Sequence, residues 1–279
     1  MIKKTIFRYR VITNLNCNMN ESTGSNGNCY FCYQPLKEPL QLDMNKANET
    51  MDKVGILRRA TIMGGEATLR KDLPDIIRAV RAHVSEDVCL VTNGILLNEE
   101  RIKAYAEAGL TEVAISVSSI EQYRRRRKAA ILCKKYIPNT RLNIPKCNES
   151  TGDKLAEMLR ECLSDNFYVV VCEDLMGRYS DFDFQEKLGT SKVKDDGCNF
   201  YDYIWTDDKG QQHQFGVFGN YTGYDATDII ITPVGNFCKW EDYCEKVGNV
   251  SLNKTYSSAD FEELDYEAIK DFIDSKPMR

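Results

Sequence analysis

A chain of 279 residues, 42% hydrophobic and 28% charged, fits one large globular domain, and 7 prolines with 17 glycines exclude a collagen-like or low-complexity chain. The net charge of -5 is split: +8 over residues 1–150 and -13 over residues 151–279, so the first half suits an anionic ligand and the second argues against wrapping nucleic acid. Eleven cysteines are too dilute for a disulfide scaffold, and only two histidines, His83 and His213, leave thiolate as the expected metal ligand.

In chain order, strands are predicted over Phe7–Thr13, Arg59–Met63, Val88–Thr92, Glu112–Val117, Arg141–Ile144 and Tyr168–Glu173, most of them Val- and Ile-rich as buried parallel strands are. Helices are predicted between them, near Lys46–Val54, Leu73–Val84, Asn98–Ala108, Ile120–Tyr136 and Asp153–Leu163. Six strand–helix repeats give an α/β fold, a partial (β/α)6 barrel over residues 1–180; a full eight-fold barrel needs about 250 residues and does not fit. Residues 181–279 are expected to form a small C-terminal α+β extension. There Asp181–Asp196 reads as a loop, while Tyr201–Trp205, Gln214–Phe218 and Asp228–Thr232 read as antiparallel strands. Asp207–Gly210 supplies a hairpin turn, and Phe261–Ile273 has the apolar spacing of an amphipathic helix. The start, Met1–Arg8, lacks the apolar core of a signal peptide, and no apolar run approaches the roughly 18 residues of a membrane span. A cytoplasmic location and no membrane partner follow as expectations.

Cys17, Cys29 and Cys32 fall in one loop directly after the first strand, with the polar insert Glu21–Asn28 between the first cysteine and the pair. Three thiolates from one loop suit an iron–sulfur cluster with one iron open. Zinc is the rival, but it normally takes four ligands, and no fourth Cys or His lies within twenty residues downstream. A Cys-x-x-Cys in a polar, glycine-rich loop is a poor core segment, so buried free thiols are the weaker reading.

The ordered features resemble those of the radical S-adenosylmethionine (SAM) superfamily. They are the cysteine loop after the first strand, Gly64-Gly65-Glu66 after the second, Thr92-Asn93-Gly94 after the third and Ile115-Ser116-Val117 in the fourth. Each lies at a strand's carboxyl end, where parallel sheets collect ligands. The family usually places three residues between its first two cysteines; here there are eleven, and Ala67 stands where the family has proline. The resemblance implies a [4Fe-4S] cluster on Cys17, Cys29 and Cys32, with SAM on the open iron and Phe31 against its adenine. Gly64, Gly65, Glu66, Asn93, Ser116, Asn143 and Met176 would line the SAM site.

Within the superfamily the layout is most similar to the molybdenum-cofactor GTP 3′,8-cyclase branch. Arg10 lies seven residues before Cys17, Arg141-Leu142-Asn143 sits on the fifth strand, and Glu173-Asp174-Leu175-Met176 closes the sixth. By that likeness Arg10, Thr92 and Arg141 would face the substrate. The likeness breaks in the C-terminal stretch: of the branch's second set of cluster cysteines only Cys238 aligns, so GTP cyclisation is not predicted. Cys198, Cys238 and Cys244 are candidates for a possible auxiliary iron–sulfur cluster or for hydrogen-atom donors. Cys89, Cys133, Cys147, Cys162 and Cys172 are expected to be core packing. The run Arg124–Lys128 is read as a solvated helix face that could dock an acidic partner.

The expected activity is radical chemistry on a peptide or small-molecule substrate, driven by a one-electron donor such as flavodoxin or ferredoxin. A nucleotide substrate is the alternative within the superfamily, and a non-catalytic iron–sulfur or zinc-binding protein the alternative outside it.

Overall fold

The computed structural model describes residues 5–19, 29, 32, 40–147, 150–172, 183–195, 200–218 and 226–237. They form two compact units, one from Met1–Thr92, Glu100–Glu112 and Asp225–Arg279, the other from Asn93–Glu99 and Val113–Tyr224.

The first unit is built on strands β1 (Thr5–Ile12), β2 (Leu57–Met63) and β3 (Val84–Thr92), paired in parallel with Arg10 opposite Thr61 and Thr61 opposite Cys89. Tyr9, Val11 and Ile12 of β1 and Ile62 of β2 are fully buried, as central parallel strands require. Helix α1 (Met44–Val54) starts where the Asp43 carboxylate accepts from the Asn45 N–H and stops at Gly55, whose φ of 95° ends it. Helix α2 (Leu73–Arg81) buries Leu73, Ile76, Ile77 and Val80, and α3 (Glu99–Glu107) buries Ile102 and Tyr105.

The second unit carries β4 (Glu112–Ser116), β5 (Asn139–Pro145) and β6 (Tyr168–Cys172), with helices α4 (Ile120–Tyr136) and α5 (Gly152–Ser164). The six strands and the five helices between them are therefore present at the predicted places. The fold is α/β with a parallel sheet that is not closed in either unit, the partial-barrel class read from the sequence.

The C-terminal segment departs from that reading in two ways. Asp181–Asp196, expected as a loop, contains helix α6 (Phe184–Leu188) and strand β7 (Ser191–Asp195). Asp183 caps α6 by accepting from the Glu186 N–H, Phe184 and Leu188 are buried one turn apart, and Gly189 ends it at φ 62°. Asp228–Thr232, expected to be antiparallel, lies in β10 (Ala226–Thr232), which pairs parallel with β1 and antiparallel with β11 (Gly235–Phe237). Ile229, Ile230 and Ile231 are buried on both faces of β10, which suits a strand inside a parallel sheet. Strands β8 (Phe200–Thr206) and β9 (Gln212–Phe218) form the expected antiparallel hairpin, and β9 also pairs parallel with β6. At its turn the Asp207 carboxylate accepts from the Lys209 and Gln211 N–H groups, and Gly210 takes φ 79°. The helix expected over Phe261–Ile273 lies outside the described residues. Among those residues, no helix is long and apolar enough to cross a membrane.

Candidate functional site

At the carboxyl end of β1 the chain runs straight into Asn14-Leu15-Asn16-Cys17, and Gly64-Gly65-Glu66, leaving β2, is laid against it. The Gly65 N–H donates to the Asn14 carbonyl (2.8 Å) and the Glu66 N–H to the Asn16 carbonyl (2.9 Å). The buried Asn14 amide returns the contact, its Nδ2 donating to the carbonyls of Glu66 (2.9 Å) and Asn16 (3.1 Å). A Cβ on Gly64 would fall 2.4 Å from Asn14 Oδ1, and one on Gly65 would fall 2.3 Å from the Asn16 carbonyl oxygen. The glycine pair is therefore explained by the cysteine loop itself: its missing side chains let two backbone segments touch.

Glu66 is 2% exposed. Its Oε1 accepts from the Thr68 N–H (3.0 Å), the Thr68 hydroxyl (2.6 Å) and the Thr92 hydroxyl (2.7 Å). Thr92, at the end of β3, is thus tied to Glu66, so a residue expected to face substrate and one expected to line SAM belong to a single buried network.

Cys17 and Cys29 are half-buried and Cys32 is exposed. The Met19 N–H donates to Cys17 Sγ (3.4 Å), and the Cys32 N–H donates to the Cys29 carbonyl (2.8 Å). Among the described residues no three His, Cys, Asp or Glu side chains converge to hold a metal ion. Three accessible sulfurs on one loop nonetheless fit an iron–sulfur cluster in donor chemistry, because thiolate ligands are drawn together by the metal they bind. The other described cysteines contrast with them: Cys89, Cys133, Cys147 and Cys162 are buried. Burial pushes the Cys133 thiol up to about 12 and the Cys162 thiol well above its ordinary value, which leaves both as inert protonated groups. Cys172, half-buried, ends β6.

In the second unit, Asn93 is buried, and its Oδ1 accepts from the Ile95 N–H to shape the Asn93-Gly94 turn. Ser116 ends β4, half-buried, next to the buried Ser118. Arg141 and Asn143 share one face of β5, with Arg141 Nε donating to Asn143 Oδ1 (3.1 Å). Beyond them Lys146 is 2% exposed at the carboxyl end of the same strand. Sequence reasoning missed Lys146; the signal available was a lysine directly after the apolar run Ile144-Pro145. Of the run Arg124–Lys128, Arg124, Arg125, Arg127 and Lys128 are exposed, as a solvated helix face requires. Arg124 bonds Glu161, Arg127 bonds Asp165, and Arg126 is buried with its Nε on the Asn93 carbonyl (3.1 Å).

Arg10 projects from β1 onto Asp228 of β10, and Arg8 grips the same carboxylate with two bonds of 3.0 Å. Asp228 is 3% exposed. Burial pushes its carboxyl up, but Arg10 and Arg8 together outweigh it and hold the group below the usual carboxylate range. Phe31, Met176, Cys198, Cys238 and Cys244 lie outside the described residues.

The sequence profile of the radical SAM superfamily matches residues 19–162. The GTP 3′,8-cyclase of Aquifex aeolicus is 33% identical over 109 residues, 36% of this chain and 33% of that protein. A probable GTP 3′,8-cyclase of Archaeoglobus fulgidus is 34% identical over 122 residues, 41% of this chain and 39% of that protein. The chain thus spans little more than a third of the length of these relatives. Among solved structures, SuiB of Streptococcus suis bound to S-adenosylmethionine superposes with a TM-score of 0.50 at 13% identity, over 65% of this chain and 45% of that one, a likeness of fold.

Proposed function

The chain belongs to the radical SAM superfamily, and from that premise we propose that it is an enzyme holding a [4Fe-4S] cluster on Cys17, Cys29 and Cys32 with SAM on the remaining iron. When bound, these groups supply a 5′-deoxyadenosyl radical that takes a hydrogen atom from the substrate. The observation that carries the reading is the union of the cysteine loop with Gly64-Gly65-Glu66 through the Asn14 and Asn16 hydrogen bonds. It ties the thiolate loop to the turn that the resemblance gives to SAM.

On this reading Cys17, Cys29 and Cys32 are the iron ligands, and Glu66, fixed by Thr68 and Thr92, presents a shaped polar surface to SAM. Asn93, Ser116 and Asn143, with Phe31 and Met176, complete the SAM lining. Arg141 faces the substrate. A peptide or small metabolite is favoured as substrate, because the buried Asp228 carboxylate already offsets one of the two charges of Arg8 and Arg10, which reduces their need for an anionic ligand. The nucleotide reading has its own support in the named activity of the GTP 3′,8-cyclase relatives. A one-electron donor of the flavodoxin or ferredoxin kind completes the proposal, with Cys198, Cys238 and Cys244 as candidates for auxiliary-cluster ligands or hydrogen-atom donors.

Anaerobic reconstitution with iron, sulfide, SAM and dithionite tests it. Formation of 5′-deoxyadenosine above that of a Cys17→Ala, Cys29→Ala, Cys32→Ala triple variant is expected, and its absence would overturn the reading. Iron retained by the triple variant reports the auxiliary cluster. Thermal protection by GTP in the presence of SAM would shift the substrate assignment to a nucleotide.

A further inference from the structure

The cysteine loop leaves β1 and returns to α1 through two short stems, Thr13-Asn14-Leu15 and Leu40-Gln41-Leu42, which pair with one another. The Leu42 N–H donates to the Thr13 carbonyl (2.9 Å), the Leu15 N–H donates to the Leu40 carbonyl (3.1 Å), and Asn14 bridges Gln41 in antiparallel sense. Beneath this ladder lies Arg70, which directly follows the turn Ala67–Leu69 and is 7% exposed. Its Nη1 donates to both stems at once, to the Thr13 carbonyl (3.2 Å) and the Leu42 carbonyl (3.1 Å). Its other edge is gripped by Asp72, Nε to Oδ1 at 2.7 Å and Nη2 to Oδ2 at 2.6 Å.

We propose that Arg70, oriented by Asp72, is a positioning residue that clamps the two stems of the cysteine loop and so sets the thiolates against the Gly64-Gly65-Glu66 turn. The proposal rests on the reading of Cys17, Cys29 and Cys32 as the cluster ligands. The separation of a loop's stems limits where side chains between them can meet, so it governs where the three sulfurs converge. A guanidinium suits this role because it is planar, always charged, and serves a bidentate carboxylate on one edge while a further nitrogen reaches both carbonyls. A lysine ammonium, a single point charge on a mobile stem, cannot hold that geometry.

Three variants of the full chain, Arg70→Lys, Arg70→Ala and Asp72→Asn, are compared with wild type by amide hydrogen exchange before iron loading. After loading, each is examined by the electron paramagnetic resonance spectrum of the reduced cluster, recorded over a SAM titration. In Arg70→Lys, exchange at the Leu15 and Leu42 amides should accelerate roughly tenfold or more while the α4 amides keep wild-type protection. The SAM concentration that half-produces the spectral change should rise roughly tenfold, the usual scale for losing an outer-shell orienting group. Asp72→Asn, half-exposed and so the gentler change, should move both readouts in the same direction by less. Wild-type exchange and wild-type SAM response in Arg70→Lys and Asp72→Asn would overturn the clamp, as would acceleration spread evenly over both units. If wild type shows no cluster spectrum above the triple cysteine variant, the functional reading fails first and the clamp's role toward the cluster falls with it. A wild-type spectrum with unaffected variants sinks the clamp alone.

Discussion

Gly65 carries the tightest steric demand described in the chain: a Cβ there would sit 2.3 Å from the Asn16 carbonyl oxygen and 2.5 Å from that of Leu15. Both are backbone atoms, so no rotamer change relieves the clash. Gly65→Ala should therefore destabilise the protein by roughly 2 kcal/mol, the scale of overpacking, and should open the hydrogen bonds that tie Glu66 to Asn16. Gly55→Ala is the control. Nothing lies within 4 Å of its Cβ position, and its cost is only that of φ 95°, about 1 kcal/mol. Urea unfolding at pH 7 ranks the two, and a smaller loss in Gly65→Ala would refute the close-packing account. The glycine pair was legible in the sequence as part of the motif that follows the second strand. What was not legible is that the approaching partner is the cysteine stem, because that contact joins residues some fifty positions apart. Glu66 shows the same divide: its place beside SAM was implied by the resemblance, but its burial and its three donors on Thr68 and Thr92 could not be read.

At the scale of the elements, β10 lies along β1 with Asp228 directly opposite Arg8 in the register, and the carboxylate collects Arg10 as well. The alternation Arg8-Tyr9-Arg10 puts both guanidinium groups on one face of β1, and β10 answers with one anion. Removing that anion alone leaves two partly buried cations, so Asp228→Asn should cost roughly 3 kcal/mol at pH 7. The sign of its pH dependence follows from the lowered carboxyl in the fold. A depressed native pKa stabilises above the unfolded value of about 3.9, and the benefit is lost as pH falls from there through the lower native value. Denaturation measured from pH 7 down to pH 2 should show the gap between wild type and Asp228→Asn closing below about pH 4. A gap constant over that range would contradict the ion-pair assignment. Here the sequence reading, an antiparallel strand, holds on one edge of β10 and not on the other. The run Asp228–Thr232 is apolar enough for either kind of strand, and it takes both kinds of neighbour, β1 in parallel and β11 in antiparallel sense.

Across the whole molecule, each unit is completed by a strand from the C-terminal segment: β10 lies on β1 in one, and β9 on β6 in the other. The strand–helix alternation up to β6 could be read because each repeat carries its own apolar pattern. The use of β9 and β10 could not, because pairing across such distances leaves no local mark. The contribution is substantial. Phe215 is fully buried, pairs with Val169 of β6, and has the rings of Tyr203 and Phe184 at centroid distances of 5.5 and 5.6 Å. Phe215→Ala should cost about 3–5 kcal/mol for the lost ring and the cavity it leaves. A fragment ending at residue 180 would lose Phe215 and Val217 beside β6 and Ile229 and Ile231 beside β1, and would expose the hydrogen-bonding edges of both strands. Such a fragment should bind a hydrophobic dye, aggregate at micromolar concentration and lack a cooperative thermal transition, although it contains all six strands and the five helices between them. A fragment that unfolded cooperatively without dye binding would show that the repeats suffice alone. The opposite result would mean that the acidic segment is structurally required by both units, so changes there reach the cysteine loop through β1 as directly as changes in β1 itself.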